Sequence, residues 1–473
     1  MTRLNFRTNQ IMRIHKLLLV VSAVGLSACN GVLDVPPTSS VASEAAIADA
    51  AGARAALQGA YAGLQANGLY GHGIVDWPEV LSDNMRHTGT FDTYADADNH
   101  LLRSDNIEVE TIWDAAYDEI NRANQIIDKV PNVADLSAAE KDEILGEAYF
   151  LRALTYHDLV RVWGNTGQLG VPLRLAPVAT AAEANTIARS TGAETYTQIL
   201  ADLAQAKQLI TAGRSQTRQA SLGAVSAIEA RVRLYQGDYA GAEAAAAAVE
   251  AMGYSLAPNF SDLFDPTGSN TTEDVFRVTF TPTQAQAVSF YYLPKALGGR
   301  WEEAPTTNID AATGTTGIIA EFDPASGGNI ANYHPTDARG VWSISRSGTR
   351  TYAAKFRNPT GDEDLHVIRL GEVILIRAEA LAQLGRVPEA IAEYNRLRVR
   401  AGVAADATTL TQAQALAAIA RERRLELAFE GDRWPDMVRT GTGLASLPPA
   451  QRLLPIPQSE LDVAKNLTQN PGY

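Results

Sequence analysis

The chain has 473 residues and a formal charge of −14, from 40 basic and 54 acidic side chains. That balance argues against nucleic acid as a partner, because phosphate binding needs a basic face. The single cysteine, Cys29, excludes a disulfide-stapled fold, so stability has to come from a large apolar core.

The N-terminus reads as a lipoprotein signal. Arg13 and Lys16 precede an apolar run from Leu17 to Gly25, followed by Leu26, Ser27, Ala28 and Cys29. A basic start, an apolar middle and small residues before a cleavage point are what a signal peptidase reads. The run is half the length of a spanning helix, which needs roughly 20 residues. Residues 1–28 are therefore read as a removed signal and Cys29 as the mature first residue, its thiol carrying lipid. The competing reading is an ordinary secretory signal with an incidental cysteine, and Met12 offers a second start. Cleavage leaves 36 basic and 54 acidic side chains, a net −18. No later stretch is apolar enough for a membrane span, so the lipid on Cys29 has to hold the protein to its membrane. Each buried methylene contributes about 0.8 kcal/mol to such an anchor. Residues 29–42, with Pro36 and Pro37, read as a tether.

From 43 to 252 the chain is rich in alanine, leucine and arginine, with apolar residues at three- and four-residue spacing, as in Ile199, Leu203, Ala206, Leu209 and Ile210. The pattern predicts stacked amphipathic helices. Residues 253–365 hold 8 of the 21 prolines in under a quarter of the length, which predicts long loops and short strands, the clearest strand being Asp274–Phe280. The helical pattern returns over 366–440, and 441–473 is proline-rich and extended. Two helical stretches share a spacing: Ala230, Gly237, Tyr239, Ala242 and Ala378, Gly385, Val387, Ala390. A small residue in one helix, a glycine at the turn and an alanine where the next helix returns suit a tetratricopeptide-like hairpin.

Four motifs then occur in order: 146–164 (GEAYFLRALTYHDLVRVWG) with 170–172 (GVP), 375–380 (LIRAEA), 422–434 (ERRLELAFEGDRW), and the ending 454–458 (LPIPQ) with 468–473 (TQNPGY). Together with the lipobox they resemble the SusD/RagB outer-membrane nutrient-binding lipoproteins along nearly all of the mature chain. The resemblance implies a mainly α fold, a scaffold of tetratricopeptide-like hairpins with a loop-rich, partly β insert. It also implies a surface-facing position in the outer membrane and a SusC-like, TonB-dependent barrel as partner, over which such proteins sit as a lid. Cys29 matches the family's lipid attachment site. An oligosaccharide is the ligand class the resemblance favours, and a peptide is the alternative.

The motifs themselves read as packing. In 421–430 the apolar Leu425, Leu427, Ala428 and Phe429 alternate with charges able to pair within and between helices. Trp113, Trp163 and Trp434 fall in helical or motif segments and are expected to be buried, with Trp163 closing the core at a helix end. His157 is expected to be a hydrogen-bonded histidine at a helix contact. The other tryptophans stand among glycines: Trp77 in 70–79, Trp301 in 298–303 and Trp342 in 339–346. Indole stacks on the C–H faces of sugars, whose hydroxyls need forked polar partners. Trp77, Trp301 and Trp342, with Asp83, Asn84, Arg300 and Arg346 nearby, are therefore the candidate ligand contacts. The competing reading is that each tryptophan fills a gap between insert and scaffold.

Nothing points to catalysis: there is no His-Glu-x-x-His, no Gly-x-Ser-x-Gly and no phosphate-cradling glycine loop. Asp92, Asp96, Asp98 and Asn99 faintly resemble a calcium loop, but Leu101 stands where an EF-hand needs glycine, and no metal or other cofactor is expected. Two non-enzymatic classes remain, a capture protein that hands a ligand to a transporter and a helical-repeat assembly scaffold.

Overall fold

Helix starts are set by side chains that accept from the free N–H groups of the first turn. In the computed structural model Asp49 caps α1 (Ala50–Gly63), and α2 (Gly73–Val80) follows. Asn106 caps α3 (Ile107–Lys129) and Ser137 caps α4 (Ala138–Trp163). Thr191, Ser221 and Asp238 cap α5 (Gly192–Leu209), α6 (Leu222–Gln236) and α7 (Tyr239–Ala251). Helix α8 (Leu370–Gln383) runs directly on from a strand, and α9 (Val387–Arg400) starts on Pro388, where the missing N–H costs nothing. Thr411 caps α10 (Gln412–Leu427), and α11 (Arg433–Thr440) completes the scaffold. The structure describes residues 46–473 except 166, 179, 181–182, 184, 212–216, 266–270, 308–315 and 445–446. Cys29, the signal and the tether lie outside the described residues, among which no helix is long and apolar enough to cross a membrane.

The fold is mainly helical, as predicted. Successive helices pack as neighbours, α3 on α4, α4 on α5, α5 on α6, α6 on α7, and α7 directly on α8, which packs on α9 and α10. The insert between α7 and α8 thus leaves the helical array unbroken. In both predicted hairpins the small residues Ala230, Ala242, Ala378 and Ala390 are fully buried. Gly237 and Gly385 take φ of +75° and +79°, and in both turns the next residue's N–H reaches back to a carbonyl, Asp238 to Arg233 and Arg386 to Leu381. Helix α4 is buried almost all round from Ile144 onward. Its ionic residues are therefore paired inside: Arg152 with Asp202 at 2.7 Å and Arg161 with Asp158 at 3.0 Å.

His157 corrects one expectation. It is buried but packs edge-on against Tyr235 and Tyr196, at 5.2 and 6.2 Å between ring centres, and neither ring nitrogen has a hydrogen-bond partner among the described residues. Burial, with Arg161 and Arg231 nearby, holds it neutral. Trp113, Trp163 and Trp434 are buried, and Trp163 Nε1 donates to the Pro455 carbonyl at 2.8 Å, tying the end of α4 to the C-terminal segment.

Strands of the insert take part in three short antiparallel pairs. Strands β1 (Met85–His87) and β3 (Glu303–Pro305) pair Arg86 with Ala304. The predicted strand is β2 (Asp274–Val278), buried throughout and paired with β6 (Leu365–Arg369). Strands β4 (Ile344–Ser347) and β5 (Arg350–Ala353) form a hairpin whose two-residue turn carries Gly348 at φ +63°.

Insert and scaffold are joined by buried charges. Glu426 on α10 receives Arg369 at 2.6 Å, Arg339 at 3.5 Å and Arg400. Arg339 also reaches Asp337 and Glu422, and Arg369 reaches Glu273 and Glu430. Lys355 pairs with Glu430 at 2.7 Å. Burial alone would raise the carboxyls, but the surrounding cations hold Glu426 far below the ordinary range and Glu430 at about 2. Both groups therefore contribute stability that is present above the ordinary glutamate pKa and lost as pH falls toward 2. Glu426→Gln leaves three guanidiniums short of a charge and is expected to cost about 3–5 kcal/mol in chemical denaturation at pH 7. A cost under about 1 kcal/mol at that pH would show that the cations find other partners.

Candidate functional site

The tryptophans expected at the surface divide into two sets. Trp77 lies within α2 and is 1 % exposed, so it belongs to the core. Asp83 and Asn84 are buried as well. Asp83 receives Arg433 through two hydrogen bonds of 2.6 and 2.8 Å and lies 3.3 Å from Arg424. Asn84 Nδ2 donates to Glu79 at 2.8 Å, and Arg424 Nε donates to Asn84 Oδ1 at 2.9 Å. These three residues are thereby corrected from surface contacts to interior supports, since every polar end is committed to a neighbour or closed off from solvent.

Their support leads to Trp301. Thr306 donates from its N–H to the Asn84 carbonyl and from its hydroxyl to that of Asp83. Beyond Asn84, β1 pairs with β3, and Thr88 donates from its hydroxyl to the Trp301 carbonyl at 3.2 Å. Trp301 is held at φ +57°, a left-handed conformation that costs an ordinary residue roughly 1–2 kcal/mol. His100 and Phe429 share that conformation among the described residues, but both are buried, whereas the Trp301 ring is only half-buried. It packs on Leu293, Tyr352 and Ala354, its Nε1 donates to the Thr351 carbonyl at 3.0 Å, and the Arg350 guanidinium lies 4.2 Å over its ring.

Trp342 repeats this arrangement. It is half-buried in the short helix Ala338–Ser343, its Nε1 donates to the Lys355 carbonyl at 3.3 Å, and Arg357 covers its ring at 3.6 Å. Both indoles are thus tied to one segment, four residues apart. Exposed Phe290, Leu297 and Val341 lie in the two stretches that carry them. Arg300 pairs with Glu302 and stacks over Phe91 at 4.1 Å, while Arg346 on the hairpin reaches the Ala331 carbonyl at 3.4 Å. Phe91, Tyr291, Arg350 and Arg357 escaped the sequence reading. The run Phe290-Tyr291-Tyr292 was a visible signal for one of them; the arginines become visible only when the hairpin is placed beside Trp301.

Beneath this surface lies a buried acid pair. Asp76 is bonded by His72 at 2.8 Å and by the Tyr94 hydroxyl at 3.1 Å, and Glu303 lies against it. Burial, then the charge of Asp76, pushes Glu303 well above the glutamate range. Asp76 itself, although burial opposes it, is held low by hydrogen bonds from Glu303 and His72. The pair is thus divided, Asp76 favouring the carboxylate and Glu303 the protonated acid. Residues 92–98 form a helix, so Asp92, Asp96 and Asp98 are not a calcium loop, and Asp98 accepts from the His87 N–H at 3.1 Å. No group of three metal-binding side chains occurs among the described residues.

Comparison with known proteins matches two family models to the chain. One, SusD-like and described as starch-binding associating with outer membrane, covers residues 33–234, and the other, the SusD family, covers 335–445. SusD-like protein P38 of Formosa agariphila is 28 % identical over 92 % of this chain and 93 % of the relative. A SusD superfamily protein of Bacteroides vulgatus superimposes with a TM-score of 0.77 at 19 % identity, covering 89 % of this chain and 99 % of the other. A laminarin-binding SusD-like protein gives 0.71 at 23 % identity, covering 90 % and 100 %. At these identities the structural likeness is one of fold.

The raised Glu303 carboxyl makes a pH-dependent prediction. A carboxyl raised in the folded state stabilises the fold while protonated and loses that contribution as pH rises through its folded pKa. Glu303→Gln keeps a donor toward Asp76 without the ionisation, so its urea midpoint is expected to exceed that of the parent increasingly as pH rises above the ordinary glutamate range. Parallel curves for parent and variant would remove Glu303 from the acid pair.

Proposed function

Because the chain belongs to the SusD/RagB family, we propose that it captures an oligosaccharide on the Trp301–Trp342 surface and delivers it intact to a SusC-like, TonB-dependent barrel. Lipid on Cys29 would hold it to the outer membrane, facing the exterior. The observation that carries the reading is Trp301: a half-exposed indole kept in a left-handed backbone conformation by the surrounding interior. Strain of that kind is retained where geometry matters. An assembly scaffold gains nothing from it. The matched family description and a laminarin-binding relative in fold support a carbohydrate as the ligand class.

The reading is one of binding without bond cleavage. Glycoside hydrolysis needs two carboxyls facing a bound sugar across a cleft. The carboxyls next to Trp301, Glu302 and Glu303, are 2 % and 0 % exposed, and they are turned to Arg300 and Asp76. Neither reaches a ligand stacked on the indole.

In calorimetric titration against oligosaccharides and peptides, Trp301→Ala is expected to weaken the bound class by roughly 1–2 kcal/mol, about ten-fold or more. Unchanged affinity in a folded variant strikes Trp301 from the site, and heat with peptides alone replaces the glycan by the peptide alternative. Cys29→Ser is expected to move the protein from the membrane fraction to the soluble fraction. Retention in the membrane would point to a different anchor.

A further inference from the structure

The chain carries 54 acidic residues, yet none falls in 275–301 or in 338–361, the two stretches that hold Trp301 and Trp342. These stretches pack on each other through the Trp301 ring, the Thr351 carbonyl and Arg350. Between them they carry eight basic side chains. Arg277, Arg300, Arg339 and Lys355 are matched to carboxylates. Lys295, Arg346, Arg350 and Arg357 are not: all four are exposed, and none forms an ion pair among the described residues.

What these three arginines touch instead carries no negative charge. Arg346 donates to one carbonyl at 3.4 Å, and Arg357 donates to the carbonyls of Ala354 and Trp342 at 2.9 and 2.6 Å. Arg350 and Arg357 rest on the faces of the two indoles. A guanidinium on an exposed ring is loosely held compared with one paired to an anion. Nearby acids do not cancel the charge. Glu302 is committed to Arg300 and burial pushes Glu363 up to about 8, toward its protonated form, which leaves Asp362, accepting from Asn358 and Thr360, as one carboxylate against Arg346, Arg350 and Arg357. The surface is therefore locally positive on a strongly negative molecule. The distant negative charge is screened beyond about 8–10 Å at physiological salt.

We infer that the ligand is an anionic oligosaccharide, bearing carboxylate or sulfate groups, which draw Arg350 and Arg357 off the indole faces while its sugar rings take their place. The inference rests on the capture reading and specifies its ligand. It accounts for two features at once, the cations lacking anionic partners and the covered indoles: a neutral sugar would have to displace the guanidiniums without offering them a charge in return.

The test uses the full-length chain in detergent and three probes: neutral laminarin oligosaccharides, the same oligosaccharides chemically sulfated, and oligogalacturonate. The expected result is saturable binding of at least one anionic probe, about ten-fold or more tighter than the neutral one and weakening as salt is raised. The probe that binds tells sulfate from carboxylate. Arg350→Gln and Arg357→Gln, checked for unchanged thermal unfolding, are each expected to cost about ten-fold on that probe, the worth of one charge-assisted hydrogen bond. If the neutral probe binds as tightly as the charged ones and Trp301→Ala abolishes it, the anionic inference falls and capture stands. Anionic binding indifferent to both arginines and to Trp301 is general polyanion attraction and also overturns it. No saturable binding by any probe overturns inference and capture together.

Discussion

Glu426 and the three guanidiniums around it set the frame for everything else. Taking these ions out of water costs several kcal/mol each, and the cost is offset only where geometry and hydrogen bonding are complete. Here the cations come from three places: Arg400 from the scaffold helix α9, Arg339 from the short helix of the insert, and Arg369 from the strand that returns the chain to α8. Apolar burial is non-directional and leaves a loop-rich insert free to slide. Forked ion pairs do not, so the lattice orients the insert on the helices as well as attaching it.

A second buried pair extends that frame toward the surface. Arg433 and Arg424 hold Asp83, whose carbonyl and that of Asn84 hold Thr306. The strand pair β1–β3 carries the restraint to Trp301. Each step is short and hydrogen-bonded, which is how an unfavourable φ persists in a folded chain. The functional consequence concerns entropy. A ring whose backbone and Nε1 are already fixed loses little freedom when a ligand stacks on it.

The helical scaffold was legible because its signals are local. Capping residues, three- and four-residue apolar spacing and the paired Ala, Gly, Ala hairpins each act within a few residues of the structure they specify. Trp77 misled for a physical reason: the glycines beside it suggested an open loop, but Gly73 marks close packing, a Cβ there falling 2.7 Å from Ile112. Asp83 and Asn84 were misplaced because their partners, Arg424 and Arg433, lie some 340 residues further on. The partial exposure of Trp301 and Trp342 was legible from their neighbours. The arginines covering them were not, since the hairpin meets Trp301 only in three dimensions, although the lack of acids in both stretches stood in the sequence.

One residue type thus performs two tasks, separated by the charge of its partner. Arg339 and Arg369 face carboxylates in the interior and cannot move without leaving a buried charge unmatched. Arg350 faces a π-system at the surface and can move at small cost, while Arg357 exchanges two carbonyl hydrogen bonds for any new partner. On the proposed reading, exchanging the second kind alters what the surface holds without disturbing what holds the surface. The buried lattice therefore sets the fold, while the exposed cations and indoles are free to differ from one ligand chemistry to another.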